Sequence, residues 1–154
     1  MKALLLGAAT LALSSAALAQ EETTMTMEEV PATVMDAANA ANTMGVTFEA
    51  VAMDEGVYEF SGTMDGGMGY EVDVMEDGTV EEIEEQIDAA DLPEAVTAAL
   101  ETNLAGFTPD YVERSTRTDG AIVYEFEGTH EGQTIDAEIN EDGSNFMTNE
   151  DAAG

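Results

Sequence analysis

Residues 73–84 read Asp73-Val74-Met75-Glu76-Asp77-Gly78-Thr79-Val80-Glu81-Glu82-Ile83-Glu84. Set against a calcium loop of the EF-hand type, Asp73 and Asp77 take the first and fifth ligand positions, Gly78 the turn position and Glu84 the bidentate last position. Only Met75 is out of place. Asp73, Asp77 and Glu84 are therefore the candidate metal ligands. Two features favour a plain hairpin turn instead. Tyr70-Glu71-Val72, ahead of the loop, alternates as a strand does, where an EF-hand has an entering helix. A matching segment later in the chain has Glu138, Asn140, Asp142 and Gly143 but Asn149 where the bidentate glutamate belongs. Acids number 34 in 154 residues, so such near-matches arise easily. Weak, diffuse binding of divalent cations is the broader expectation, with no resident cofactor.

Other residues that could do chemistry are sparse. Met25-Thr26-Met27 is a minimal thioether motif for Cu(I), but the ten methionines, Met64 and Met68 among them, also suit the filling of irregular cores. His130 is the single imidazole, and its counterpart in the repeat described below is Met64, which predicts an exposed position tolerant of an apolar side chain. Ser61, Ser115 and Ser144 lie in no nucleophile motif. Nothing singles out one pair of carboxylates for glycoside chemistry, and there is no tryptophan to stack on a sugar. The expectation is that the protein is not an enzyme. Arg114 and Arg117, three apart on a strand, face opposite ways and form no basic patch; pairing with neighbouring acids is the expected role.

Charge and export narrow the classes further. Three basic residues against 34 acids give a net charge of -31, which repels phosphate backbones and anionic lipid surfaces. Nucleic acid is excluded as a partner. Without cysteine there is no disulfide framework, thiol catalysis or thiolate zinc site. A 44% hydrophobic content still allows a buried core. Met1-Lys2, the apolar run from Ala3 and the small-x-small Ala17-Leu18-Ala19 predict a signal peptide over 1–19, cleaved after Ala19. The run is short for a bilayer, so no membrane insertion is expected after cleavage. Periplasm or exterior is the predicted location. Residues 20–29 have no periodicity and are expected to form a flexible acidic arm.

Positioning of these residues depends on an internal repeat. Tyr58-Glu59-Phe60-Ser61-Gly62-Thr63-Met64-Asp65-Gly66 matches Tyr124-Glu125-Phe126-Glu127-Gly128-Thr129-His130-Glu131-Gly132 at an offset of 66 residues. Val74 to Gly78 aligns with Ile139 to Gly143, and Val30-Pro31 with Leu92-Pro93. Two units follow, 30–88 and 89–148, with a C-terminal tail at 149–154. Each opens with a helix, the first from Pro31 to about Met44 and the second after Asp91 as N-cap with Pro93 in the first turn. Val96, Leu100 and Leu104 mark the second helix's apolar stripe. Period-two strands follow at Val46–Met53, Val57–Met64 and Met68–Met75, and at Phe107–Arg117, Ala121–His130 and Gln133–Asn140. Asp-Gly and Gly-Gly between them predict hairpins. Extended pieces are expected at Thr79–Ile87 and Ser144–Thr148. The fold class is α+β: two αβββ-type units, sharing one sheet or side by side, each with a helix on one face and a wet acidic face opposite.

Leu92-Pro93 opening a helix, Gly106-Phe107 opening a strand, the strand Val123-Tyr124-Glu125-Phe126 and then Asn140-Glu141-Asp142-Gly143 resemble the PepSY-like domain in its tandem, β-lactamase-inhibitor-like form. The resemblance covers residues 30–148. It implies an exported, non-catalytic module that binds a protein partner, such as a secreted or periplasmic enzyme, and modulates or inhibits it. The alternative class is an acidic cation-buffering or salt-adaptation protein without a specific partner, in which the charge itself is the property.

Overall fold

The computed structural model describes residues 23–148. The predicted signal peptide, the start of the arm and the tail at 149–154 lie outside the described residues. Strands β1 (Thr23–Met25), β2 (Phe48–Asp54), β3 (Val57–Thr63), β4 (Gly69–Met75), β5 (Val80–Gln86), β6 (Pro109–Arg117), β7 (Ile122–His130), β8 (Gln133–Asn140) and β9 (Met147–Thr148) form one antiparallel sheet in chain order. Helix α1 (Ala32–Ala41) precedes β2 and helix α2 (Glu94–Asn103) precedes β6. The choice between one sheet and two is settled by β5, which pairs with β6 from Glu82↔Arg117 to Gln86↔Glu113. Among the described residues no helix is long and apolar enough to cross a membrane.

Local chemistry explains most of the elements. Asp77, Asp119 and Asp142 each accept a hydrogen bond from the backbone N–H two residues on, at 2.8, 2.9 and 2.9 Å, and each is followed by a glycine with positive φ. These are Asx turns, which reverse the chain between strands. Tyr58, Phe60, Tyr70, Val72 and Val74 pack under Val34 and Ala38 of α1. Val112, Tyr124, Phe126, Ile135, Ala137 and Ile139 pack under Val96 and Leu100 of α2. Paired rows such as Tyr70, Glu85, Arg114, Tyr124 and Ile139 share one side of the sheet, so both helices cover the same face.

Three expectations are corrected. Asp91 does not cap α2. Pro93 holds Leu92 in extended backbone (φ -62°, ψ 140°) and occupies the N-cap itself, so the helix begins at Glu94. Asp91 falls instead in a short 3-10 turn capped by Asp88, which accepts from the Ala90 N–H at 2.9 Å. Helix α1 ends at Ala41, short of Met44, because Asn42 turns back on Val46 through two hydrogen bonds of 2.6 and 3.0 Å. The arm is not free throughout: Thr23–Met25 pairs with Met53–Val51 of β2, covering a strand edge whose N–H and C=O groups would otherwise be open. Met25 and Met27 thereby pack against the first core.

The turn after β8 backs onto the start of α2. A Cβ at Gly143 (φ +80°) would stand 2.7 Å from the Ala95 carbonyl oxygen, whereas one at Gly132 (φ +86°) meets nothing within 4 Å. Gly143→Ala is therefore expected to lower stability by about 2 kcal/mol or more and Gly132→Ala by about 1 kcal/mol, read as midpoints of denaturant unfolding.

Candidate functional site

The side of the sheet away from the helices collects the carboxylates. Paired rows run Glu59, Asp73, Glu82, Arg117; then Glu71, Glu84, Ser115; then Gln86, Glu113, Glu125, Glu138. They cross the β5–β6 seam, so acids from both helix-and-strand halves meet there. Alternation puts them on this face because Tyr70, Val72 and Val74, and likewise Tyr124 and Phe126, are committed to the cores.

The expected wet face is corrected at its centre. Asp73 and Glu113 are 5% exposed, Glu84 and Glu125 6%, and Glu138 2%. Strands spaced at roughly 4.8 Å bring these long side chains against one another, and they screen each other from water. Burial first, then neighbouring carboxylates, pushes Glu113 up to about 7, Asp73 and Glu125 up to about 8 and Glu84 up to about 11. Tyr111 donates to Glu113 Oε1 at 2.8 Å, and burial together with that carboxylate holds its hydroxyl well above the ordinary tyrosine range.

Among the described residues one cation, Arg117, answers this group. Arg117 donates to Glu138 through both terminal nitrogens at 3.2 and 2.7 Å and to Glu82 Oε1 through Nε at 3.1 Å; its guanidinium also lies 3.9 Å from Glu125. Burial works against its charge, but the bonds to Glu138 and Glu82 outweigh this and keep it protonated. Ser115, fully buried, donates to the same Glu82 oxygen. Arg114 faces the helix side, 3.9 Å from Glu85, so the two arginines do face opposite ways.

The predicted metal loop is a hairpin: the end of β4, a turn and β5. Asp73 and Glu84 stand on the acidic face, while Asp77 is exposed in the turn, its carboxyl held below the usual range by the Thr79 bonds. The oxygens that do converge are those of Glu71, Glu84 and Glu113, and of Glu82, Glu84 and Glu125, each trio within 4.8 Å. Glu71, Glu82, Glu113 and Glu125 escaped the sequence reading. Strand alternation names their face, but only the pairing register brings them together. His130 is half-buried with its ring edge-on to Phe107 at 6.0 Å, a packing role rather than the exposed position expected.

No protein-family model matches the chain, and no curated protein does. Solved structures show the fold. A DUF2874 family protein from Bacteroides uniformis superposes with a TM-score of 0.62 at 16% identity over 77% of this chain and 88% of that one. A Bacteroides eggerthii protein named as periplasmic gives 0.62 at 14% identity over the same shares. A BLIP-like protein from Bacteroides fragilis gives 0.57 at 17% identity over 77% and 86%. The chain thus has an α+β, BLIP-like fold.

Two predictions follow from the charge arrangement. Below about pH 3 these carboxyls are protonated in both states. Above it the unfolded chain ionises first, while Glu113, Asp73, Glu125 and Glu84 hold their protons. Stability contributed by these groups is lost as pH rises through their folded values. With divalent cations chelated, the melting temperature is expected to be several degrees higher near pH 5 than near pH 8.5. Second, Arg117→Ala is expected to cost about 2 kcal/mol, reduced from the fully buried case because a third of that side chain is in water, and Arg114→Ala about 0.5 kcal/mol. Paired denaturant titrations check the difference.

Proposed function

We propose that the protein is an exported, non-catalytic binding module of the tandem PepSY-like type that modulates or inhibits a protein partner through the acidic sheet face. The observation carrying this reading is the run of carboxylates across β3 to β8 with Arg117 as the basic side chain among them. The partner is a protein with a basic contact surface, such as a secreted or periplasmic enzyme. Steering by this face speeds encounter with such a surface, and salt slows it. The BLIP-like and periplasmic names belong to structures that share the fold, and they support a non-catalytic role outside the cytoplasm without identifying a target.

In this reading 1–19 is a signal peptide cleaved after Ala19, and 30–88 and 89–148 are copies of one unit. Matched details support the duplication. The β2–β3 ladder shifts register beside Gly62 and the β6–β7 ladder beside Gly128, at corresponding places in the repeat. A Cβ at either glycine would collide with the chain that enters the neighbouring strand, at 2.6 Å from Thr47 O and 2.9 Å from the Phe107 ring.

The test is capture from envelope extract at low and high salt with the native chain and with Glu127→Lys/Asp136→Lys on the rim of the face. A partner that is released by salt and binds the variant about tenfold more slowly supports the reading. A partner indifferent to both salt and variant, or no partner, overturns it and leaves the charge itself as the property.

A further inference from the structure

The pair Asp-Gly occurs four times in the chain, at 65–66, 77–78, 119–120 and 142–143. Each of the four aspartates is exposed in a turn between two strands. Hydrogen bonding separates them. At Asp77, Asp119 and Asp142 the carboxylate accepts from the N–H two residues on, that of Thr79, Ala121 and Ser144, at 2.8, 2.9 and 2.9 Å. The N–H of the glycine after each aspartate is engaged as well: Gly78 donates to Met75 O, Gly120 to Arg117 O and Gly143 to Asn140 O, all at 2.8 Å. In these three turns both groups of the pair are tied down.

The turn between β3 and β4 is built one position out of step. Met64 N–H donates to Met68 O at 2.8 Å and closes it, as Met75 N–H closes the next turn on Thr79 O at 2.8 Å. Gly67 (φ +89°) stands where Gly78 (φ +88°) does in that next turn, so Asp65 is the first loop residue and Asp77 the second. The inner bond of the β3–β4 turn therefore comes from Gly67, which donates to Met64 O at 3.0 Å. That is the N–H two residues beyond Asp65, the one a capping aspartate would need. Neither the Asp65 carboxylate nor the Gly66 N–H has a hydrogen-bond partner among the described residues. A Cβ at Gly66 or Gly67 would meet nothing within 4 Å, so no other part of the chain packs against the loop there.

We propose that Asp65-Gly66 is the site at which this chain forms isoaspartate spontaneously. The Gly66 backbone nitrogen attacks Cγ of Asp65 in its protonated carboxyl form. A Cγ–N bond forms, the carboxyl hydroxyl leaves with the amide proton as water, and a five-membered succinimide results. Water then adds at the main-chain carbonyl of Asp65 and breaks its bond to the Gly66 nitrogen, so that the chain runs through Cβ and Cγ. Addition at Cγ restores aspartate instead. One water leaves and one returns, and mass and charge are unchanged. Glycine suits the attack because it carries no Cβ to hinder the nitrogen. In the other three turns two hydrogen bonds must break first. The Thr79 and Ser144 bonds also hold the Asp77 and Asp142 carboxyls below the usual range, in the ionised form that has no hydroxyl to lose. The product carries one extra backbone carbon in the turn that joins β3 to β4, the strands bearing Glu59, Glu71 and Asp73. It is independent of any protein partner.

The experiment is incubation of the folded full chain in heavy-oxygen water, followed by proteolysis and mass spectrometry with fragment ions that place the label and distinguish isoaspartate. Each succinimide hydrolysis leaves one heavy oxygen, so the four pairs are compared within one sample. Label at Asp65 is expected to accumulate at least about tenfold faster than at Asp77, Asp119 or Asp142, the factor that one hydrogen bond to a charged group contributes. In denaturant the turns are lost and the four pairs are expected to react at similar rates, because each has glycine next in the chain. Label no faster at Asp65 than at the capped pairs of the folded chain would overturn the proposal. The same ranking persisting in denaturant would overturn it too, because the difference would then come from neighbouring sequence and not from the turn.

Discussion

Pairing of β5 with β6 sets Glu82 opposite Arg117, Glu84 opposite Ser115 and Gln86 opposite Glu113, and that ladder joins the two halves of the molecule. The two helix cores meet at the seam: Ile83 of β5 packs against the α1 core, and Val112 of β6 belongs to the α2 core. On the helix side the seam carries Glu85 and Arg114, on the other side the buried acids. Polar groups thus stand on both faces beside these apolar side chains, and backbone bonds with a few charged contacts join the two strands. Arg117 is central among these contacts. From β6 it reaches Glu82 on β5 and Glu138 on β8.

Charge at the seam sets the electrostatics of the face. Two ionised carboxylates about 5 Å apart repel by about 3 kcal/mol at an effective dielectric of about 20, and several such pairs meet here. A fold of modest stability cannot keep them all ionised and buried. Protons or a bound cation must neutralise part of the cluster, which is why burial raises the carboxyls of Asp73, Glu84, Glu113 and Glu125. Acids nearer the rim, such as Glu59, Glu127 and Asp136, are more open to water and carry the charge seen by an approaching protein.

Much of the scaffold was legible because its determinants are local. The strand Gln133–Asn140 occurs as predicted, and Val57–Thr63 and Gly69–Met75 differ from expectation by one residue at an end. Hairpins at Asp77-Gly78 and Asp142-Gly143 follow from an aspartate that caps its own turn and a glycine that accepts positive φ. Failures occurred where a distant or competing group decides. Asp91 matches a capping pattern, but Pro93 imposes extended backbone on Leu92 and moves the helix start. Residues 23–25 carry no strand signal of their own and become a strand because β2 offers an open edge.

The candidate site divides in the same way. Sequence alone determined that Glu71, Asp73 and Glu125 oppose the core, because a period of two allows nothing else once Tyr70, Val72, Tyr124 and Phe126 are buried. It also determined that Arg114 and Arg117 face apart. Only the tertiary structure decided that β5 pairs with β6 rather than leaving two separate sheets, and in which register. That pairing brings Glu113, from the second half, within 4.8 Å of Glu71 and Glu84, from the first, and takes them out of water. Periodicity assigns a side chain to a face; only strand order and register set its distance from the next charge, and that distance separates a solvated acidic surface from a site.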